Sequence, residues 1–377
     1  MRKSLLALVA AGLLTTATLT ACDDGGDTDA AGGNAPATTN GGSEEVTGEG
    51  GIGVILPDTK SSQRWKSDDN RYLEAAFKKA GVKYSIVNAE GDKEQFKRLA
   101  ETMLDKGFKV LVIVNLDSVS GKAVIDNAHS RGVPVIDYDR LTLNGAADYY
   151  VSFDNEAVGQ LQAKELLNCL NQKKVSNAVV AELNGSPTDN NATLFKNGYD
   201  TVLSAKYDSA QLIKGPDQWV PDWDNDEGRE MFALMLKQYP NIGGVLAAND
   251  GLGNSAIEVL RAKKLNGKVP VTGQDATTQG LQNILAGDQC MTVYKDVKQE
   301  AEAAAGLAIN LFNGVKPGLK DKLKDPESGL YIPFLRLLPK AITIKNVKDV
   351  VDAGFVDVDT LCNAKYKEAC KRANVIK

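Results

Sequence analysis

The chain reads as an α/β protein built of two doubly wound parallel-sheet lobes. Three observations lead there. From Gly51 onward, short apolar runs alternate with segments whose apolar residues recur at helical spacing. Runs such as VLVIV at 110–114 are apolar at every position, as strands covered on both faces must be. The alternation then begins afresh after Phe153, within a foldable stretch of about 325 residues, too long for one ordinary core.

Taken in order, the first series opens with a strand at 51–56 (GIGVIL), an amphipathic helix over 64–80 and a strand at 84–87. A helix carrying Phe96, Leu99 and Met103 leads to the strand 110–114. Another helix ends near His129, the strand 133–136 closes on Asp137, and 149–153 completes the series. The second series starts with a helix over 155–170 and a strand at 177–183. A helix follows Pro187, then come a strand at 211–214, a helix at 231–239 and a strand at 243–247. One more helix precedes the strand 269–272.

In open parallel sheets, ligands sit beyond the carboxyl ends of the strands. Here those ends are polar. VPVIDYDR ends in Asp137, Asp139 and Arg140, GGVLAAND in Asn249 and Asp250, and VPVTGQD in Gln274 and Asp275. ELNGSPTDNN brings Asp189, Asn190 and Asn191 to a helix start, and MTVYKD brings Lys295. All three tryptophans fall in such edge segments: Trp65 in SSQRW, Trp219 and Trp223 in DQWVPDW. Singly, each has an ordinary reading. Asp or Asn after a strand is usually a helix cap, and a tryptophan near a turn usually packs. Their coincidence on one edge points to a polyhydroxylated ligand such as a sugar. Carboxylates accept from hydroxyls, Arg and Lys donate, Asn does both, and aromatic rings cover C–H faces.

The N-terminus has a secretory layout: Arg2 and Lys3, an apolar stretch too short to span a bilayer, then small residues. Leu19-Thr20-Ala21-Cys22 resembles the bacterial lipoprotein cleavage box. That resemblance implies a signal peptide over 1–21 and a lipidated Cys22 that anchors the protein to the outer face of the cell membrane. Residues 22–50 carry almost no apolar bulk and predict a flexible linker. The formal charge of −5 becomes −7 without Arg2 and Lys3, and no basic run occurs, which argues against nucleic acid as a ligand.

Apart from Cys22, four cysteines remain, and four allow three pairings. Cys362 and Cys370 are close in a helical segment and are the favoured bridge; Cys169 and Cys290 then form a second bridge or stay buried thiols. With no CxxC spacing and one histidine, His129, neither a metal nor a cofactor is expected. No GxSxG, HExxH or P-loop occurs, and Asp137 and Asp139, two apart on one strand, do not by themselves straddle a scissile bond. The chain reads as a binder, not an enzyme.

The strings QRW, DYDR, SFDNEAVGQLQAKEL, GSPTDNNATLF, DQWVPDW, AAND, GQDA and MTVYK resemble, in order, those of bacterial D-xylose-binding proteins. These are sugar receptors of the ribose/galactose-binding kind that serve ABC importers. The resemblance runs from 51 to 317 and implies the type I periplasmic-binding-protein fold. Its lobes would be 51–154 plus 276–309 and 155–275 plus 310–345, joined by a three-segment hinge near Asp154, Asp275 and Asn310, with 346–377 left as a C-terminal tail. It implies sugar contacts from Arg64, Asp139, Arg140, Asn191, Trp223, Asn249, Asp275 and Lys295, with Trp65 and Asp189 beside them. Trp219 is assigned to packing, and Phe153 and Asp154 to the hinge. The implied mechanism is closure of a monomeric clamp on a monosaccharide, D-xylose before glucose, arabinose or ribose, for recognition by the ABC permease. A sensor signalling to a membrane kinase or chemoreceptor is the alternative.

Overall fold

The structure, a computed structural model, describes residues 45–377. The expected signal peptide, Cys22 and the linker up to residue 44 lie outside the described residues.

The chain runs β1 (Ile52–Leu56), α1 (Arg64–Ala80), β2 (Tyr84–Asn88), α2 (Lys93–Asp105), β3 (Val110–Ile113), α3 (Ser118–Ser130), β4 (Val135–Tyr138) and β5 (Tyr149–Phe153). It continues with α4 (Asn155–Gln172), β6 (Ala178–Asn184), α5 (Asn190–Asp208), β7 (Leu212–Trp219), α6 (Asn225–Gln238), β8 (Ile242–Ala247), α7 (Asp250–Ala262), α8 (Thr278–Ala286) and β9 (Met291–Tyr294). The last part holds α9 (Val297–Phe312), β10 (Lys322–Lys324), β11 (Tyr331–Leu337), β12 (Lys340–Thr343), α10 (Lys348–Asp352), α11 (Val358–Leu361) and α12 (Lys367–Arg372).

Strand alternation explains the first lobe. Val54 and Leu56 of β1 face one side, with Val110 and Val112 of β3 and the alanines Ala301, Ala304 and Ala308 of α9. Ile55 faces the other side, with Leu111, Ile113 and the α2 residues Phe96 and Met103. Successive side chains point to opposite faces, so a strand covered on both must be apolar throughout. The resulting seven-stranded sheet has the order β10-β11-β5-β4-β3-β1-β2. It is parallel except for the edge hairpin β10–β11.

The second lobe is built on the parallel order β7-β6-β8. Val271 bridges Val245 beside β8, and the Cys290 and Val293 amides donate to Val271 and Gly273 at 2.8 and 3.2 Å. The segment from 271 thus links β8 to the antiparallel pair β9–β12. The expected strand at 269–272 is reduced to this bridge.

The path between lobes differs from the expectation. The chain leaves the first sheet after Phe153, and Asp154 caps α4 by accepting from the Ala157 amide at 3.0 Å. It does not return near Asp275. Leu281, Ile284 and Leu285 of α8 pack with Tyr294, Ile342 and Leu361, and Met291 and Val293 of β9 lie in the second-lobe core. The return comes between β9 and α9, around Lys295 and Asp296. Nor is Asn310 a crossover, because Phe334 of β11 pairs with Tyr150 in the first sheet and Ile342 of β12 pairs with Thr292 in the second lobe. The third crossover therefore lies between Leu337 and Lys340. Alternation of strands and helices says what each segment is, but not which sheet it joins.

One further boundary moves. The linker does not extend to Gly50: Val46 is buried in the first-lobe core, and the Gly50 amide donates to Lys106 O at 2.9 Å. The C-terminal tail, 346–377, packs on the second lobe: Val347, Val350, Leu361, Cys370 and Val375 share one apolar cluster with α8 and β12. Cys362 is bonded to Cys370 and Cys169 to Cys290, with Cα separations of 5.8 and 6.4 Å.

Candidate functional site

The strand ends of both lobes face one cavity. All ten residues singled out from the sequence line it: Arg64, Trp65, Asp139, Arg140, Asp189, Asn191, Trp223, Asn249, Asp275 and Lys295. Ser61, Ser62, Phe195 and Gln274 complete the lining. Trp219 is absent from it and packs against the second-lobe core.

Arg64, in the first turn of α1, organises the first-lobe wall. Its Nε and Nη2 grip Asp69 at 2.9 and 2.7 Å, Nη2 also donates to Glu300 Oε2 at 2.6 Å, and Nη1 donates to Asp139 Oδ2 at 2.8 Å. The guanidinium lies 4.2 Å from the centroid of the Trp65 ring. A planar cation suits such a position, since it stacks on the ring while its fork holds carboxylates. Arg64, Asp69 and Glu300 are all buried, so each depends on these partners.

Asp139 sits just past β4 with a φ of 62°. Left-handed backbone is costly for a non-glycine residue and persists only where surroundings enforce it. Here its carbonyl accepts from Ser152 Oγ at 2.8 Å, Tyr150 OH at 3.0 Å and Asn191 Nδ2 at 3.0 Å. Asn191 Nδ2 also reaches Asp139 Oδ1 at 3.1 Å, and Lys295 Nζ donates to Asp139 Oδ2 at 3.4 Å. Arg140 Nε lies 3.2 Å from Asp189 Oδ2, and Ser62 Oγ donates to Asp275 Oδ2 at 3.2 Å. These contacts join residues of the first lobe to residues of the second across the cavity.

The second-lobe wall is made by helix starts. Asp189 caps α5, accepting from the Asn191 amide at 2.9 Å, while its Oδ2 accepts from Trp223 Nε1 at 3.1 Å. Asn249 caps α7, accepting from the Leu252 amide at 2.9 Å. The same residues thus cap helices and line the cavity. Trp223 packs against Gly185, where an added Cβ would come within 2.0 Å of the indole.

Electrostatics divides the carboxylates. Burial alone would raise Asp139, but Lys295, Arg64 and Arg140 outweigh it and hold the carboxyl at about 2. Burial wins at Glu300, raised to about 8 despite Arg64, and it also raises Asp189 and Asp275. Asp137 and Asp250 are outside the lining. Asp137 binds the Thr142 amide and hydroxyl at 2.7 and 2.8 Å, fixing the 137–142 loop. Asp250 accepts from Gln289, Thr292 and the Thr277 amide at 2.7–2.8 Å, tying α7 to the turn before α8 and to β9.

Of the lining residues not singled out, Gln274 stood beside Asp275 in the same strand-end motif, which was a usable signal. Ser61 and Ser62 lie in a loop with no pattern of their own, and Phe195 looks from sequence like any apolar residue of α5.

The sequence matches a family described as the periplasmic binding protein domain over residues 52–316. It is 36% identical over 310 residues to the D-xylose-binding periplasmic protein of Escherichia coli (strain K12), covering 81% of this chain and 90% of that one. It is 32% identical over 332 residues to the multiple sugar-binding periplasmic receptor ChvE of Rhizobium radiobacter, covering 83% and 92%. Among solved structures, it resembles a carbohydrate transporter solute binding protein from Chloroflexus aurantiacus in complex with D-glucose. The TM-score is 0.74 at 27% identity, over 82% of this chain and 97% of that one. With two sheet-based lobes, three crossovers and a cavity between them, the chain belongs to the periplasmic binding protein family, whose members carry substrates outside the cytoplasm and do not transform them.

Proposed function

We propose that this protein captures a monosaccharide in the cavity between its lobes and delivers it to an ABC importer, with D-xylose as the cargo. The observation that carries the reading is the pairing of Trp65 and Trp223, from opposite lobes, on one cavity whose other walls, Phe195 apart, are charged, amide or hydroxyl groups. Two aromatic faces suit the C–H faces of a pyranose, and the polar walls suit its hydroxyl edge. Closure follows from differential contact: a ligand touching both lobes favours the state in which both can reach it. D-xylose is chosen over other sugars because it is the ligand in the names of two relatives, 36% and 34% identical.

The alternative cargo is D-glucose, the ligand bound in two of the similar solved structures. Titration calorimetry with D-xylose, D-glucose, D-ribose, L-arabinose and D-galactose separates the two. The expected result is saturable D-xylose binding at micromolar Kd or tighter, about −8 kcal/mol, with the other four weaker. Preference for glucose would change the cargo and keep the receptor. No heat from any of the five would remove the ligand class.

We also propose that Cys22 carries the lipid that holds the protein, as a monomer, at the outer face of the cell membrane. Cys22→Ser should move the protein from the detergent phase to the aqueous phase on Triton X-114 partition; retention in the detergent phase would count against lipidation.

A further inference from the structure

Several acceptors around the cavity already take hydrogen bonds from within the protein. Both side-chain oxygens of Asp139 accept, from Asn191 and from Arg64 and Lys295. Asp189 accepts from the Asn191 amide and from Trp223. Asn191 Oδ1 accepts from Asn155 at 2.8 Å, and Asn249 Oδ1 is spent on its helix cap. A ligand hydroxyl entering this ring needs an acceptor that is still open.

Among the described residues, seven buried side-chain polar atoms make no hydrogen bond, and two of them belong to the cavity lining: Arg140 Nε and Gln274 Oε1. The Gln274 residue is 3% exposed. Its place is fixed by the backbone, because its carbonyl accepts from the Asp250 amide at 2.8 Å. Gln274 Oε1 is thus a buried acceptor without a partner, which is unfavourable unless a donor arrives. We infer that Gln274 is a specificity-determining contact that accepts a hydrogen bond from one particular hydroxyl of the bound sugar, a role that rests on the sugar-receptor reading given above.

Such a contact discriminates strongly. A site built around an amide acceptor rejects an analogue that cannot donate to it, because the amide is left unpaired. The converse gives the test. Gln274→Met has similar length and no amide. Calorimetry would compare this variant with wild type, using the tighter binder of D-xylose and D-glucose and that sugar's monodeoxy derivatives. The expected result is affinity for the parent sugar lowered roughly ten- to a hundredfold, with an unchanged melting temperature. For a single deoxy derivative, variant and wild type should bind equally. Gln274→Ala should show the same pattern and serves if the Met variant folds poorly. Parent-sugar binding unchanged in both variants, or an equal loss for every derivative, would overturn the assignment of Gln274 alone. Absence of sugar binding by the wild type would instead overturn the receptor reading on which it rests.

Discussion

At the scale of single residues, Asp275 joins two demands that conflict. Its φ of 104° disfavours a side chain, yet it faces the cavity and holds Ser62 of the opposite lobe. Asn tolerates such backbone better than Ala, so Asp275→Asn isolates the charge. It should weaken sugar binding by roughly ten- to a hundredfold with little change in melting, measured by calorimetry and thermal denaturation. Wild-type affinity in that variant would take Asp275 out of the site. Asp137 is a different case, raised to about 7 by burial against the pull of its Thr142 hydrogen bonds. Its folded pKa exceeds the unfolded one, so the stability it adds is present below about pH 4 and is lost as pH rises through about 7. The stability difference between wild type and Asp137→Asn should therefore fall across that window, as read by urea unfolding at several pH values; a flat difference would contradict the assignment. Residue types at strand ends were legible in the sequence because the sheet rule says where to look. Which of two neighbouring carboxylates turns into the cavity was not: Asp137 and Asp139 are two apart on one segment, and only the left-handed turn at Asp139 separates their fates.

At the scale of elements, the turn from β6 into α5 shows how a site aromatic is held. Gly185 supplies the clearance that lets the Trp223 indole lie against the backbone. Gly185→Ala should displace the ring and weaken sugar binding at least tenfold, with a stability loss of about 1–3 kcal/mol from overpacking. Trp219 gives the contrasting result, since it packs on the second-lobe core and stays out of the lining. Trp219→Ala should lower the melting temperature and leave the sugar Kd within about threefold. If instead affinity collapsed at unchanged melting, the division between the two tryptophans would be reversed. Helices and strands were legible because apolar period and Asp or Asn caps agree, as at Asp189 and Asn249. The assignment of α8, β9 and β11 to lobes was not, since sheet membership is decided by long-range pairing such as Phe334 with Tyr150.

At the scale of the whole molecule, the two disulfides do unequal work. Cys169 and Cys290 are 121 residues apart, whereas Cys362 and Cys370 are 8 apart. In the loop-entropy account, removing the first pair should cost about 4–5 kcal/mol and the second about 2–3 kcal/mol. Paired Cys→Ser variants compared by urea unfolding would show the order. A larger cost for the short loop would mean that packing of residues 346–377 against α8 outweighs loop entropy. The two-lobe plan itself was legible in chain length and in the restart of the alternation. The docking of residues 346–377 onto α8 was not, because short helices with scattered apolar residues carry no sign of their destination.

The charges around the cavity have one more consequence. Arg64, Asp139, Arg140, Asp189 and Lys295 are each at most 6% exposed and hold one another at close range. Mobile ions screen charges they can surround, and they cannot surround these. Outside the cytoplasm the surrounding electrolyte follows the environment, yet capture of an uncharged sugar in such a site should proceed with nearly the same Kd from dilute medium to brine.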